Sequence, residues 1–450
     1  MHMQLSAAAN QMHAELIGED VAFSHVGTDT RALQQGDLFV ALQGENFDGH
    51  DCLLKAQQAG AVAAMVSRFE PSALPLLKVK DTRSGLGQLA SIWRHQFNLP
   101  VAGVTGSNGK TTVKEMLASI MGRKGQVLAT QGNLNNDIGV PLTLLRMQDD
   151  HRFAVIEMGA NHAGEIKYLC SLAKPHVVVI TNAAAAHLEG FGSIEGVAKA
   201  KGEIFSSLDK DGIAVINVDD PFASLWQDLA RGKKIISFGL SQDADVSADW
   251  VQSAAFIQME IQTLSGSCQV HMQVVGRHNV MNALAATAVA QAMGASLEMV
   301  RDGLEAFKPV AGRLQLQSGL HGMQILNDTY NANPASFKSA VDVLVEMPGK
   351  KWLVLGDMGE LGDGAEQIHF DCGKLAKDSG VEYLYAIGEL SQHAVKAFGD
   401  KAAWFANKGD LARQLKQDWN DSSNGTLLIK GSRLMHMEEV IKALQAGGDQ

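Results

Sequence analysis

The chain has 450 residues, 46% hydrophobic and 19% charged, with a formal net charge of −11. That length gives a prior of about three domains. The acidic balance and the lack of a basic block argue against a nucleic-acid binder, and no apolar run approaches the ~18 residues of a membrane span. The four cysteines, Cys52, Cys170, Cys268 and Cys372, have no metal or redox spacing and read as reduced thiols of a cytosolic protein. The opening MHMQLSAAANQMHAEL has no basic segment followed by an apolar core, so no signal peptide is expected.

Residues 1 to about 82 form a first unit, with DLFVAL as a strand and AQQAGAVAAMVS as a helix running into a strand. Residues 83–99 read as a linking helix. The second unit opens at Pro100 with VAGVTGSNGKTTVKEML. Here a buried strand, Val101 to Val104, leads through Gly106, Ser107, Asn108, Gly109, Lys110, Thr111 and Thr112 into a helix starting near Val113. Strand, glycine turn and helix is the context of a phosphate-binding loop. Glycines let backbone N–H groups curl around phosphate oxygens, and the helix N-terminus adds partial positive charge. Lys110 can reach the outer phosphates and a threonine hydroxyl can ligate magnesium. The spacing departs from the common G-x-x-x-x-G-K-[ST], because Gly103 sits one residue too early. The chain is expected to use ATP.

Further strands, FAVIEM, HVVVIT and GIAVINV, alternate with helices, as in a largely parallel sheet covered on both faces. Glu157 ends one of them, and its position suits a magnesium ligand and an ordinary strand-end acid equally. His187, in a stretch of small residues, reads on its own as a structural histidine, since magnesium prefers oxygen. If 196–205 is helical, Lys199 shares a face with Glu203, whereas Lys201 shares one with Ile204 and Phe205 and points inward. A buried lysine is neutral more often and can then add carbon dioxide as a carbamate; the residues alone favour a snorkelling side chain. The stretch 245–276 looks antiparallel. GRHNVMNALAA then places Asn279 and Asn282 on one helical face, for a base edge, a phosphate or, at Asn279, a helix cap. Gly312–Arg313 marks a hinge from which the arginine could swing onto a γ-phosphate. Beyond it ILNDTY, KKWLVLGDM, VEYLYAIG and TLLIKGS suggest a second doubly wound unit, in which Asp328 lies at a sheet's carboxyl edge and NDTYNANPAS is rich in turn formers. Asn407, Lys408 and Asp410 spell the N-K-x-D of guanine readers, but far from the phosphate loop and with no buried strand before them, so the match is read as chance.

In order along the whole chain, TGSNGKTT, HLEGFGS, AKAKGEIF, GRHNVMNALAA and DTYNANP resemble the Mur ligases, ATP-dependent amino-acid ligases of peptidoglycan synthesis. TDTRALQQGDLFVALQGENFDGHD extends the resemblance to the first unit. GNLNNDIGVPLTLL and DTYNANPAS look like the members that add D-alanyl-D-alanine. Members adding single amino acids usually carry Tyr-Ala-His-x-Pro, where this chain has Tyr330-Asn331-Ala332-Asn333-Pro334.

The resemblance implies an α/β protein of three domains. These are a small α/β domain for the UDP-sugar at 1–82, a central P-loop ATPase-like parallel sheet at 83–312, and a Rossmann-like domain at 313–450 that takes the dipeptide and closes on ATP. It implies ligation of D-alanyl-D-alanine to the terminal carboxylate of UDP-N-acetylmuramoyl-tripeptide through an acyl phosphate, by a cytoplasmic monomer. The 106–112 loop and Lys110 would hold the ATP phosphates. Thr111, Glu157, His187 and a carbamylated Lys201 would serve two magnesium ions. Asn279, Asn282, Arg313 and Asp328 would contact the nucleotide. Thr30, Arg31, Gly44, Asn46 and His50 fall in the UDP-sugar segment, and Asn135 and Asn136 where the muramoyl side approaches ATP. Asn331 and Asn333 are candidates for the dipeptide. The alternatives are another Mur-type ligase, a folylpolyglutamate-type ligase, against which the complete first unit argues, a nucleotide switch, and a kinase.

Overall fold

The computed structural model describes residues 1–185, 188–241, 243–253, 255–419 and 424–445. Its first sheet has five strands in the order Glu15–Ile17, Leu76–Lys78, Ala61–Val66, Asp37–Val40, His25–Gly27. The pairs are parallel apart from the first. Helix Thr82–Arg94 links this unit to the next; Asp81 caps it by accepting from the Ser84 N–H. It ends five residues before the expected Leu99. The helix does not separate two cores. One apolar cluster runs from Met3 and Leu5 through Leu86 and Leu89 to Ile180 and Trp226.

The central sheet is six-stranded and wholly parallel, in the order Lys234–Phe238, Ile213–Asn217, Val177–Ile180, Val101–Thr105, His151–Glu157, Gln126–Ala129. Its inner strands, such as Val177–Ile180, are buried on both faces, which is why they are continuous apolar runs. Two edge strands escape the sequence reading. Gln126–Ala129 is short, and Lys234–Phe238 is largely exposed, so neither carries that signal. The expected antiparallel addition is present as Ser247–Gln252, Ile257–Thr263 and Gly266–Met272. Helix Arg277–Ala292 is buried almost all round against this half.

The last sheet runs Gln315–Ser318, Gln324–Asp328, Gly425–Lys430, Lys350–Gly356, Tyr383–Ile387, Ala402–Phe405. Only the first pair is antiparallel. Strand Gly425–Lys430, late in sequence, lies between the early Gln324–Asp328 and Lys350–Gly356, so the strand order reverses there. Ligands of open α/β sheets bind at the carboxyl edge of such a reversal.

The helix Pro334–Glu346 buries Phe337, Val341 and Leu344 against this sheet. Phe337 is fully buried. Phe337→Ala is expected to cost about 3–5 kcal/mol, read as a lower denaturation midpoint at unchanged slope.

Candidate active site

The phosphate loop is shaped by two glycines in backbone conformations that other residues rarely adopt. Gly106 has φ +150°, and a Cβ there would collide with the Thr181 hydroxyl; Gly109 has φ +82°, and a Cβ would collide with the Asn282 amide. The left-handed Gly109 is also the N-cap of helix Lys110–Met121, so the helix starts three residues before the expected Val113. A neighbouring strand end pins the loop. Thr181 Oγ1 donates to the Asn108 carbonyl at 2.6 Å, and Asn182 Oδ1 accepts the Asn108 N–H at 3.0 Å. Thr181 and Asn182 were missed in the sequence, although polar residues ending the run HVVVI give the same strand-end signal as Glu157.

Lys110 folds back over the loop, with Nζ donating to the Gly106 carbonyl at 2.8 Å. Burial lowers its pKa; Glu157 opposes that shift and Arg313 adds to it. Glu157 is buried, and Oε1 accepts from Asn135 Nδ2 at 2.7 Å. Its Oε2 has no hydrogen-bond partner among the described residues. A buried carboxylate oxygen without a partner beside a threonine-bearing phosphate loop fits a hard cation such as magnesium. Among the described residues no three His, Cys, Asp or Glu side chains converge as a metal cage. Magnesium is commonly bound by one or two carboxylates plus substrate phosphates, so this donor set suits it.

Lys201 points inward, as its helical face requires, and is 1% exposed. Its amine lies 5.9 Å from the Phe191 ring centre. Burial first, and then Lys110, hold its pKa well below the usual lysine range. Lys199 is exposed as expected, but its partner is Glu195, at 2.7 Å, and not Glu203. Glu203 instead accepts the backbone N–H groups of Gly164 and Lys167, at 2.6 and 3.1 Å, which ties two helices together. His187 lies outside the described residues.

Helix Arg277–Ala292 starts at Gly276, φ +92°, which seats it against Val343 of the last unit. Asn279 and Asn282 lie on one buried face; Asn279 bonds the Val275 carbonyl at 2.8 Å, and Asn282 Nδ2 reaches Asn279 Oδ1 at 3.3 Å. His278 is pushed down to about 4, chiefly by burial, with Asp328 opposing and Lys430 assisting.

From the last unit, Arg313 Nη2 donates to Thr111 Oγ1 at 2.8 Å, and its guanidinium lies 4.2 Å from the Tyr330 ring centre. Asp328 pairs with the buried Lys430, directly across the strand register, and Lys430 also donates to the Asn331 carbonyl at 2.9 Å. Lys430 was not expected; as the polar end of TLLIK it carried a strand-end signal too. Asn333 caps helix Pro334–Glu346 in a reciprocal box with Ser336, and its Nδ2 reaches Asn108 Oδ1 of the phosphate loop at 2.8 Å. Asn333 therefore spends its amide on the helix start and on the inter-domain bond, whereas Asn331 is exposed at the rim.

Most of these groups, although not Lys201, surround one cavity of about 970 Å3. It collects the phosphate loop, Asn135, Asn136, Glu157, Asn279, Asn282, Arg313, Asp328, Asn331 and Asn333. Thr30, Arg31, Gly44, Asn46 and His50 lie apart from it on the first unit. Arg31 is exposed and paired with Asp29 at 2.7 Å, and Gly44 and Asn46 sit in an exposed loop. His50 is engaged by its own neighbours. It is 3% exposed; Nδ1 lies 2.6 Å from Asp48 Oδ1, and Nε2 accepts the Ser67 N–H at 2.9 Å. With both ring nitrogens engaged, it braces the loop. The Asn407–Asp410 segment is a helix start with reciprocal side-chain bonds, remote from the cavity. An edge strand, Ala402–Phe405, does precede it, but that strand is only half-buried.

Residues 104–290 match the family described as Mur ligase middle domain, 312–433 the Mur ligase, glutamate ligase domain, and 22–94 the Mur ligase family, catalytic domain. A UDP-N-acetylmuramoyl-tripeptide–D-alanyl-D-alanine ligase of Escherichia coli is 45% identical over 99% of this chain and 98% of its own. The chain belongs to the Mur ligase family. Among solved structures, MurF from Acinetobacter baumannii shares 35% identity at a TM-score of 0.94, covering 99% of both chains. MurF ligase from Thermotoga maritima, solved in complex with ADP, shares 28% identity at a TM-score of 0.83, covering 94% of this chain and 97% of that one. This Mur ligase is therefore an ATP-dependent, peptide-bond-forming ligase of three-domain α/β architecture.

Gly109→Ala tests the loop geometry. It is expected to weaken ATP binding at least tenfold by calorimetry while leaving the far-ultraviolet circular dichroism unchanged, because the strain falls on the phosphate cradle and the collision on the end of one side chain, Asn282.

Proposed function

We propose that this Mur ligase joins D-alanyl-D-alanine to the terminal carboxylate of UDP-N-acetylmuramoyl-tripeptide, consuming ATP and yielding the UDP-muramoyl-pentapeptide, ADP and phosphate for peptidoglycan precursor synthesis. The observation that carries this reading is the single cavity shared by two carboxyl sheet edges, one bearing the phosphate loop and the other Asp328 and Lys430. The full-length likeness to proteins named for this reaction supports the choice of substrates.

A carboxylate and an amine do not condense at useful rates in water, so the carboxylate must first be activated. In the proposed sequence the tripeptide carboxylate attacks the γ-phosphate and forms an acyl phosphate, with ADP leaving. Lys110 and Arg313 offset the charge gathering on the phosphoryl group. The dipeptide amine then attacks the acyl carbon, and phosphate leaves. Because the acyl phosphate is labile in water, Asn333 and Arg313 have a second use: their bonds to Asn108 and Thr111 draw the last unit over the loop.

Magnesium would supply further charge neutralisation on the phosphates. Thr111 and Glu157 would hold it, with His187 and a carbamylated Lys201 completing two sites. The burial of Lys201 beside another cation supports a neutral amine able to add carbon dioxide, which releases a proton and leaves an anionic carbamate where an ammonium would be unfavourable. Asn279, Asn282 and Asp328 would contact the nucleotide, and Asn135 and Asn136 the muramoyl side. Thr30, Arg31, Gly44 and Asn46, within residues 1–82, would contact the UDP-sugar. Residues 83–312 and 313–450 would act as the ATP-binding and closing domains of a cytoplasmic monomer. No helix among the described residues is long and apolar enough to cross a membrane.

Mass spectrometry of a reaction containing ATP, magnesium, the UDP-tripeptide and D-alanyl-D-alanine is expected to find a product heavier by one dehydrated dipeptide. That product should be absent without ATP. A folded, ATP-binding protein that makes none would redirect the assignment to another ligase substrate. Lys201→Ala is expected to abolish ligation, with partial rescue by a short carboxylic acid; full activity of the variant would remove the carbamate from the scheme. Arg313→Ala is expected to lower kcat by about 100-fold or more, with the ATP dissociation constant changed far less. Equal losses would place that arginine in ground-state binding.

A further inference from the structure

A second cavity, of about 240 Å3, lies beside the first and is lined by Arg83, Ser84, Asp137, Gly164, Glu165 and Tyr168. Glu165 lines both cavities, so they adjoin at that side chain. Asp137 stands two residues beyond Asn135, whose amide holds Glu157. Two residues span at most about 7 Å. The small cavity thus opens next to the place where the substrate carboxylate meets ATP in the reaction proposed above, on which this inference rests. That reacting carboxylate belongs to the tripeptide's third residue, whose side chain leaves from the adjoining carbon and must go somewhere close by.

The charges around the small cavity are mixed. Arg83 Nη1 donates to Asp137 Oδ2 at 3.0 Å, and this is the only hydrogen bond of its guanidinium among the described residues. The pair is 50% and 32% exposed, so its remaining donors and acceptors trade with water and can trade with a ligand. Glu165 adds a second carboxylate, held in place by the backbone N–H groups of Asn161 and His162. A guanidinium fork beside two carboxylates complements a head group that carries both an ammonium and a carboxylate. A lone ammonium would use the carboxylates and gain nothing from Arg83.

We propose that this cavity takes the side chain of the tripeptide's third residue and selects a diamino-dicarboxylic acid over a plain diamino acid. Arg83 binds the distal carboxylate; Asp137 and Glu165 bind the distal ammonium. These are specificity-determining residues, remote from the bond being formed.

The test compares kcat/KM for two UDP-N-acetylmuramoyl-tripeptides, one ending in meso-diaminopimelate and one in L-lysine, with ATP and D-alanyl-D-alanine. The wild-type protein is expected to favour diaminopimelate by about tenfold, the effect of one charged hydrogen bond. Arg83→Gln is expected to erase that preference through KM and to leave the lysine substrate within about twofold. Asp137→Asn is expected to weaken both substrates, since both carry the distal ammonium. Equal rates with the two substrates in the wild type, or an equal fall of both in Arg83→Gln, overturns the inference and leaves the ligase reading intact. Absence of product from either substrate overturns the ligase reading, and this inference with it.

Discussion

The site depends on cationic side chains crowded together at the phosphate loop. Lys110 and Arg313 act on each other, Lys201 lies beside Lys110 with its charged form already disfavoured, and among the described residues Glu157 is the acid that opposes the shift of Lys110. In a medium of low polarizability such a cluster is costly, and a bound polyanion relieves the cost. The protein bears the strain with structure that is rigid for other reasons. Lys110 leans on the Gly106 carbonyl, Lys201 is fixed by the apolar packing of its helix, and Arg313 is sandwiched between Thr111 and Tyr330. A nucleotide triphosphate entering this cleft meets charges already in position, so little reorganisation is left for the reaction itself.

Sheet order brings that charge together. In the central sheet the chain leaves strand Val101–Thr105 for one side, returns, and then continues on the other. The carboxyl edge there gathers the phosphate loop, Glu157 and Thr181. In the last sheet the insertion of Gly425–Lys430 between two earlier strands places Lys430 beside Asp328. Each edge alone would be half a site. The turn at Gly312, φ +72° and bonded through its carbonyl to the Tyr330 N–H, aims the second edge at the first.

Residues whose role is local were legible in the sequence. The phosphate loop, the inward face of Lys201 and the strand-end position of Glu157 and Asp328 follow from periodicity and from a change of residue type at the end of an apolar run. Contacts between distant segments were not legible. Nothing in the spacing of Asn333 and Asn108, 225 residues apart, says that they bond. Lys199 had two acids at helical spacing, and the one taken, Glu195, was decided by the demand of two backbone N–H groups for Glu203. His50 sat in a matching segment, but its ring is buried by packing that the segment alone does not specify. Lys430 and Thr181 show a different limit: the same strand-end rule that nominated Glu157 applied to them and went unused.

Among the described residues, the hydrogen bonds that join the last unit to the central one are few. Arg313 reaches Thr111, Asn333 reaches Asn108, and Gln252 reaches Glu346 at 2.6 Å. An apolar seam is added where Val275 enters the core of the last unit, made possible by the missing side chain at Gly276. Each polar bond exchanges with water at a net cost of about 1 kcal/mol, so none of them locks the units together. The Thr111 hydroxyl that now accepts from Arg313 is also the group a magnesium ion would claim. In the proposed scheme the metal would compete with the arginine for that oxygen, and the phosphates would offer the arginine a stronger, charged acceptor in its place. The same weak contacts that keep the arginine aimed before ATP arrives are cheap to break when it does. A stronger latch would hold the units in register and bar the nucleotide; a weaker one would leave the arginine to be found by diffusion and the acyl phosphate open to water.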